Sequence, residues 1–355
     1  MILSLRGGGA ERQLALLGSE LARRGHDVHV AFIHDGENAA MLGGGCTLHR
    51  IAVRSKFDPR LWTRTAALVR RLRPDVMQTW LTHMDIAGGA AARLSRVPWV
   101  VSERSAAACY PASLLNRLRI AAGRRADLIV ANSPGGAAYW TGLGIDPSRI
   151  EIVPNFVPVR DIESAAPLDD PRIASDDELL LAVGRLSPEK NLGAVIDALP
   201  EVVQARPRVR FALCGDGAIL PELQARVAAA ALNGRVIFAG FVPNVASWLK
   251  RAATVVAVSL YEGHPNAVLE AVAAGTPVIV SDIPAYRAIL DGGAAAFVEP
   301  GDVRGIAAAI INTLDDRATA AQRAALARQA LHALSLEATA ERYETAYRRA
   351  IAHRS

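Results

Sequence analysis

The sequence predicts an α/β protein built as two doubly wound lobes in tandem. Three observations carry this. Short apolar runs alternate with amphipathic helical patterns along nearly all of the chain, the mark of a parallel sheet covered on both faces. The alternation breaks once, over residues 156–178, where Pro158, Pro167 and Pro171 interrupt a stretch without period. The 355 residues suit two domains of roughly 170 residues each.

The elements follow in order. Met1–Leu5 reads as a strand and Ala10–Arg24 as an amphipathic helix that Gly25 stops. Strands are expected at Asp27–Ile33 and Leu48–Val53, then a basic helix over Pro59–Arg73. Strands at Val76–Trp80, Trp99–Glu103, Leu128–Ala131 and Ile150–Pro154 complete the first lobe. After the break come strands at Leu179–Val183, Val209–Cys214, Val236–Ala239, Thr254–Leu260, Pro277–Ser281 and Ala295–Val298, with helices between. The helical segment from Val303 could fold back across the other lobe. These boundaries give an N-terminal lobe over 1–165, a C-terminal lobe over 166–335 and a final helix over 336–355.

Composition excludes several classes. With 51% apolar and 21% charged residues, the chain has material for two cores and is not disordered. No apolar run reaches 18 residues, so no transmembrane helix is expected. The first residues lack a basic region followed by a long apolar one, so no secretory leader is expected. Cys46, Cys109 and Cys214 are odd in number and far apart, which argues for a reducing compartment and against structural zinc. Residues 1–170 carry 21 Lys and Arg against 16 Asp and Glu, and the rest is balanced. That excess suggests an acidic partner, an anionic membrane surface or a phosphorylated substrate. Nucleic acid is not expected, because the basic stretches lack interleaved aromatics.

In open parallel sheets, ligands bind beyond the carboxyl ends of the strands, so the loops carry the functional argument. The most informative is Tyr261-Glu262-Gly263-His264-Pro265-Asn266-Ala267-Val268-Leu269-Glu270, after an apolar strand. Pro265 and Asn266 start a helix, so backbone N–H groups of Asn266, Ala267 and Val268 point out of the strand end as an anion site. Glu262 precedes the helix and Glu270 lies about one turn inside it, where it could reach a ribose diol. A lone Glu here would be a surface acid; two that frame Gly-His-Pro-Asn point to a ligand. The second segment is Gly184-Arg185-Leu186-Ser187-Pro188-Glu189-Lys190-Asn191. Two cations in one strand-to-helix loop are placed to grip a diphosphate and neutralise a leaving group. The third, Arg6-Gly7-Gly8-Gly9-Ala10-Glu11-Arg12, lets backbone approach a ligand closely but lacks the GxGxxG spacing.

With these motifs in place, the chain resembles the retaining glycosyltransferases of family four, which have the two-lobed GT-B fold. The resemblance rests on Gly8-Gly9-Ala10-Glu11-Arg12 with Gly25-His26-Asp27-Val28, Arg73-Pro74-Asp75-Val76, Val130-Ala131-Asn132-Ser133 and Ile152-Val153-Pro154-Asn155. It continues through Gly184-Arg185 with Glu189-Lys190-Asn191, Gly215-Asp216-Gly217, and Glu262-x7-Glu270 followed by Gly275-Thr276-Pro277-Val278. It implies two lobes facing a cleft, the first on the acceptor side and the second on the donor side. It implies that Arg185 and Lys190 bind the donor diphosphate, Glu270 the ribose, and that Glu262 faces the donor sugar. His264 and Asn266 would lie in the loop that touches sugar and phosphate, and Gly8 and Gly9 would shape the pocket near the phosphates. It implies no metal and no cofactor, the nucleotide-diphosphate sugar being the donor substrate. Relatives often carry a His after the strand at Trp99–Ser102; here Ser102-Glu103-Arg104-Ser105 stands there. Glu103 is therefore a candidate catalytic residue, and so is His83, which with Asp85 ends another strand of this lobe. Relatives also usually have several residues before the first strand.

The expected activity is transfer of a sugar, UDP-linked first and GDP-linked second, to an acceptor hydroxyl with retention of configuration. The resemblance and the basic first lobe point to a lipid-linked saccharide acceptor. They also point to a cytoplasmic protein, peripheral on the inner face of the membrane. Two basic stretches could lie on an anionic leaflet: Arg60, Arg64, Arg70, Arg71 and Arg73 around Trp62, and Arg117, Arg119, Arg124 and Arg125 among leucines. A solvated helix face is the alternative. Beside the transferase stand two other readings, a non-catalytic nucleotide-sugar-binding subunit and a GT-B-fold sugar-nucleotide epimerase.

Overall fold

The computed structural model describes residues 1–105, 110, 112–290, 293–329, 331 and 334–354, so Cys109 lies outside the described residues. The chain forms two compact units, Met1–Phe156 with Leu336–Ser355, and Val157–Ser335.

In the N-terminal unit, β1 (Val28–Phe32) pairs in parallel with β2 (Cys46–Arg50). A second parallel sheet has the order β3 (Met77–Trp80), β4 (Trp99–Glu103), β5 (Leu128–Ala131), β6 (Ile150–Ile152). The expected first strand is reduced to a bridge at Ser4, but its backbone still joins the two sheets. Ile2 N–H donates to Ala31 on one side, and Trp80 N–H donates to Met1 on the other. Ile2 and Leu5 are fully buried there, which holds so short a segment in place without a regular ladder. The last helix, Leu336–Ala352, belongs to this unit. Its buried Ala340, Tyr343 and Ala346 share a core with Leu14 and Leu17 of the helix Gly9–Arg23. Arg24 Nε closes the seam on Glu344 at 2.7 Å.

The C-terminal unit holds one six-stranded parallel sheet with the order β12-β11-β10-β7-β8-β9. Its strands are β7 (Glu178–Val183), β8 (Val209–Cys214), β9 (Val236–Gly240), β10 (Thr254–Ala257), β11 (Val278–Ser281) and β12 (Ala296–Val298). Alternate residues feed two cores. Leu179, Leu181, Val255 and Val278 face one helical layer, and Leu180, Ala182, Val256 and Ile279 face the other. Both faces are apolar, as a parallel sheet covered twice requires. The direction of winding reverses between β7 and β10, and the carboxyl edge at such a switch point is where parallel sheets bind ligands.

Residues 156–178, where the alternation breaks, are not an open linker throughout. Val159–Ser164 is a short helix, and Ile162 and Ile173 are buried in the core of the C-terminal unit. Two buried residues eleven positions apart show no period, so this packing has no sequence signal. The division between units falls after Phe156 and again before Leu336, where the sequence suggested 165 and 335.

Candidate functional site

The carboxyl edge of the C-terminal sheet is framed by glycines. Gly184 ends β7 at φ 141° and Gly215 ends β8 at φ 142°. A Cβ on Gly215 would sit 1.9 Å from the Gly184 carbonyl oxygen, and one on Gly217 would sit 2.1 Å from that of Leu186. Only glycine allows these two turns to pack backbone on backbone. Gly184 N–H donates to Cys214 and Leu186 N–H to Asp216, which locks the loop carrying Arg185 and Lys190 against the neighbouring strand end. Asn191, in left-handed conformation at φ 53°, donates from Nδ2 to the carbonyls of Val258 and Pro300. Leu260 N–H donates to Glu189, so the loops after β7 and β10 are stitched together.

This brings Lys190 and Glu262 into contact. Lys190 Nζ lies 2.6 Å from Glu262 Oε1, with side-chain exposures of 24% and 13%. The same oxygen accepts from Ser259 Oγ at 2.8 Å and from the Tyr286 hydroxyl at 3.4 Å. Glu262 Oε2 has no protein donor among the described residues, so it stays open to a ligand hydroxyl. Burial, then the Glu262 charge, pushes the Tyr286 hydroxyl well above its ordinary pKa, so Tyr286 serves as a donor. Arg185 is exposed and makes no ion pair among the described residues. Ser259 and Tyr286 were not legible in the sequence. Ser259 sits within an apolar run, and Tyr286 lies on a separate four-residue helix.

The helix Asn266–Ala273 has no side chain capping its first turn. Of the three N–H groups expected to face an anion, two are committed: Asn266 donates to His264 O and Val268 to Pro265 O. Ala267 N–H is left without a backbone acceptor among the described residues. The cradle is thus narrower than the spacing suggested, because a Pro at the cap turns the chain tightly enough to close its own hydrogen bonds. His264 lies in the loop before the helix, and Glu270 lies one turn inside it, 7% exposed.

In the N-terminal unit, Gly8 caps the helix Gly9–Arg23 without a side-chain bond. A Cβ on Gly8 would meet the Glu11 carboxylate at 2.2 Å, and Gly7 N–H donates to Glu37 at 2.9 Å.

Glu103 does not face a ligand. It is 0% exposed. Its Oε1 accepts from Ser105 N–H at 2.9 Å and from the Tyr110 hydroxyl at 2.5 Å. Its Oε2 accepts from Arg119 Nη2 at 3.0 Å and from Trp140 Nε1 at 2.9 Å. Four donors saturate the carboxylate, so the expected catalytic role gives way to an anchoring one. The cation paired with Glu103 is Arg119, not the adjacent Arg104.

Arg119, counted among the basic surface residues, is 1% exposed and also binds Asp85 Oδ2 through Nε at 2.7 Å. Its neighbours in sequence gave no sign of this. Asp85 is fully buried and accepts from Thr79 at 2.7 Å. Burial raises the Asp85 pKa despite Arg119. Asp85 therefore faces the core, bound to Arg119 and Thr79. His83 stands in the first turn of the helix Thr82–Ser95, edge-on to Phe57 at 5.5 Å. Burial, then Lys56, lowers its pKa.

Comparison with known proteins agrees with this architecture. Residues 7–161 match the model of Glycosyltransferase Family 4, and residues 177–316 that of Glycosyl transferases group 1. The chain is 36% identical over 155 residues to glycogen synthase of Mycobacterium tuberculosis; that stretch is 43% of this chain and only 37% of the synthase. It is 28% identical over 320 residues to the lipopolysaccharide core biosynthesis glycosyltransferase LpsE of Rhizobium meliloti, covering 87% of this chain and 86% of that one. Among solved structures, Anabaena Alr3699/HepE in complex with UDP and glucose superposes with a TM-score of 0.84 at 20% identity, over 97% and 98% of the two chains. One family model in each half, a relative matched along most of its length and a shared two-lobed architecture place the chain in the GT-B glycosyltransferase family.

Proposed function

We propose that the protein transfers a sugar from a nucleotide diphosphate donor, a UDP-sugar, to an acceptor hydroxyl with retention of configuration. The observation that carries this reading is the Lys190–Glu262 pair beside exposed Arg185 at the switch point of the C-terminal unit. Lys190 has two further protons for a diphosphate, and Arg185 offers a free guanidinium. Ala267 N–H adds a donor at a helix start. When the bond from the anomeric carbon to the phosphate oxygen breaks, the electron pair leaves on the diphosphate, and these groups stabilise that charge. Glu262 Oε2 takes a hydroxyl of the donor sugar, Glu270 takes the ribose, and His264 and Asn266 line the same loop. Gly8 and Gly9 bring backbone close to the substrate. No metal or cofactor takes part. The UDP in the Anabaena complex supports the choice of nucleotide. The Rhizobium relative's part in lipopolysaccharide core biosynthesis supports a lipid-linked saccharide acceptor.

Exposed apolar and basic side chains support the same acceptor class. Phe57, Trp62, Leu114 and Leu118 are exposed, and Trp62, Arg93 and Arg125 line one groove. Arg64 and Arg117 add charge, while Arg60 is paired with Asp58 and Arg119 is withdrawn into the core. Such a surface suits an anionic leaflet, with the protein peripheral on its inner face. Among the described residues no helix is long and apolar enough to cross a membrane.

Calorimetry with UDP tests the site. Lys190→Ala and Glu270→Ala should each weaken binding by about 1–3 kcal/mol. Unchanged affinity in both overturns the assignment. Binding without turnover on any UDP- or GDP-sugar would instead favour the non-catalytic subunit.

A further inference from the structure

Arg104 follows β4, at the carboxyl edge of the sheet in the N-terminal unit. Its surroundings are neutral. Nη2 donates to Asn155 Oδ1 and Nη1 to the Tyr343 hydroxyl at 3.2 Å. The guanidinium lies over the Trp80 ring at 4.6 Å. Nε is buried and has no hydrogen-bond partner. No carboxylate pairs with it among the described residues; the adjacent Glu103 is saturated by Arg119, Trp140, Tyr110 and Ser105. The same unit thus gives Arg119 two carboxylates and Arg104 none.

A partly buried charge without a counter-ion is unfavourable unless something else supplies one. Trp80 packs on the guanidinium, whose planar fork binds phosphate oxygens in pairs. Trp80, Arg104, Asn132 and Asn155 come from the ends of β3, β4, β5 and just beyond β6, where parallel sheets bind ligands. Asn132 donates to the Arg104 carbonyl at 3.4 Å and keeps its own buried Oδ1 without a donor, a second polar atom open to a ligand's proton.

We propose that Arg104 is the anion-binding residue of the N-terminal unit and holds a phosphate group of a substrate. That phosphate belongs to a phosphorylated acceptor. The proposal rests on the transferase reading and gives the N-terminal unit a phosphate contact of its own.

The test uses the full chain and calorimetry in two arms. The first titrates UDP. The second titrates inorganic pyrophosphate into protein already saturated with UDP. In Arg104→Gln, affinity in the second arm should fall about tenfold or more, with Arg104→Lys between it and the parent, while the first arm stays put. If the second arm does not move while Arg104→Gln melts at the parent's temperature, the proposal is overturned, and Arg104 merely clamps Tyr343; an equal fall in the first arm overturns the assignment to an acceptor. Should Arg104→Gln fail to fold, Arg104→Lys decides, since unchanged affinity in the second arm overturns the proposal equally. A parent that binds pyrophosphate through Arg104 but does not bind UDP would sink the transferase reading and leave the phosphate site standing.

Discussion

Replacing Arg119 by Met isolates the buried charge network. The change removes the bonds of 2.7 Å to Asp85 and 3.0 Å to Glu103, all three side chains being 1% exposed or less. The two carboxylates then fare differently. Glu103 keeps Ser105 N–H, Tyr110 and Trp140. Asp85 keeps only Thr79. Breaking a buried pair by deleting one partner costs about 3–5 kcal/mol, and Asp85 carries most of it. At about 2–4 °C per kcal/mol for a domain of this size, the N-terminal unit should melt about 6–20 °C lower. Tryptophan fluorescence reads this unit well, because Trp62, Trp80, Trp99 and Trp140 lie in it and only Trp248 does not. The sign with pH follows from Asp85. Burial holds its folded pKa above the unfolded one even beside Arg119, and losing Arg119 raises it further. A raised carboxyl pKa favours the folded state at low pH, and that advantage is lost as pH rises through the folded value. The variant's deficit should therefore shrink between pH 7 and pH 5. Arg119→Met/Asp85→Asn should recover most of the loss. A melting shift under about 2 °C, or a deficit that grows on acidification, would refute the reasoning.

Other consequences are direct. Gly215→Ala should destabilise the C-terminal unit by at least about 1–3 kcal/mol and weaken UDP binding, because its Cβ meets the Gly184 carbonyl at 1.9 Å; a normal melting temperature would contradict the packing. Turnover should survive EDTA, since Arg185, Lys190 and a helix start supply the positive charge; complete loss with chelator and recovery with magnesium or manganese would refute it. The protein should sediment with anionic vesicles and release at high salt; equal recovery with neutral vesicles would leave only a solvated basic face.

Much of this was legible because it is local. Hydrophobic period found the parallel strands, and strand-loop-helix order placed Arg185, Lys190, Glu262 and Glu270 on one edge of one sheet. The Lys190–Glu262 contact itself follows once β7 and β10 are known to be neighbours. What escaped depends on contacts distant in sequence. Arg119 looks like any arginine on a basic helix; only the packing of that helix on Thr82–Ser95 turns it toward Asp85 and Glu103. Glu103 occupies the expected strand end, but sequence position does not say how many donors surround a carboxylate. The first strand was readable as apolar, and its role as a bridge between two sheets was not.

The two units treat charge in opposite ways, and burial accounts for the difference. Arg119 and its carboxylates are shut away from water, so their geometry is fixed and exchanging a partner is costly. Lys190 and Glu262 meet at a similar distance but remain partly exposed. A pair in that setting contributes at most about 1 kcal/mol, so a diphosphate can draw Lys190 toward itself at small cost while Ser259 and Tyr286 keep Glu262 in place. The same contact thus orients the carboxylate and leaves the ammonium free to follow the ligand. A geometry with Lys190 buried as Arg119 is would hold the loop more firmly and bind the donor less well.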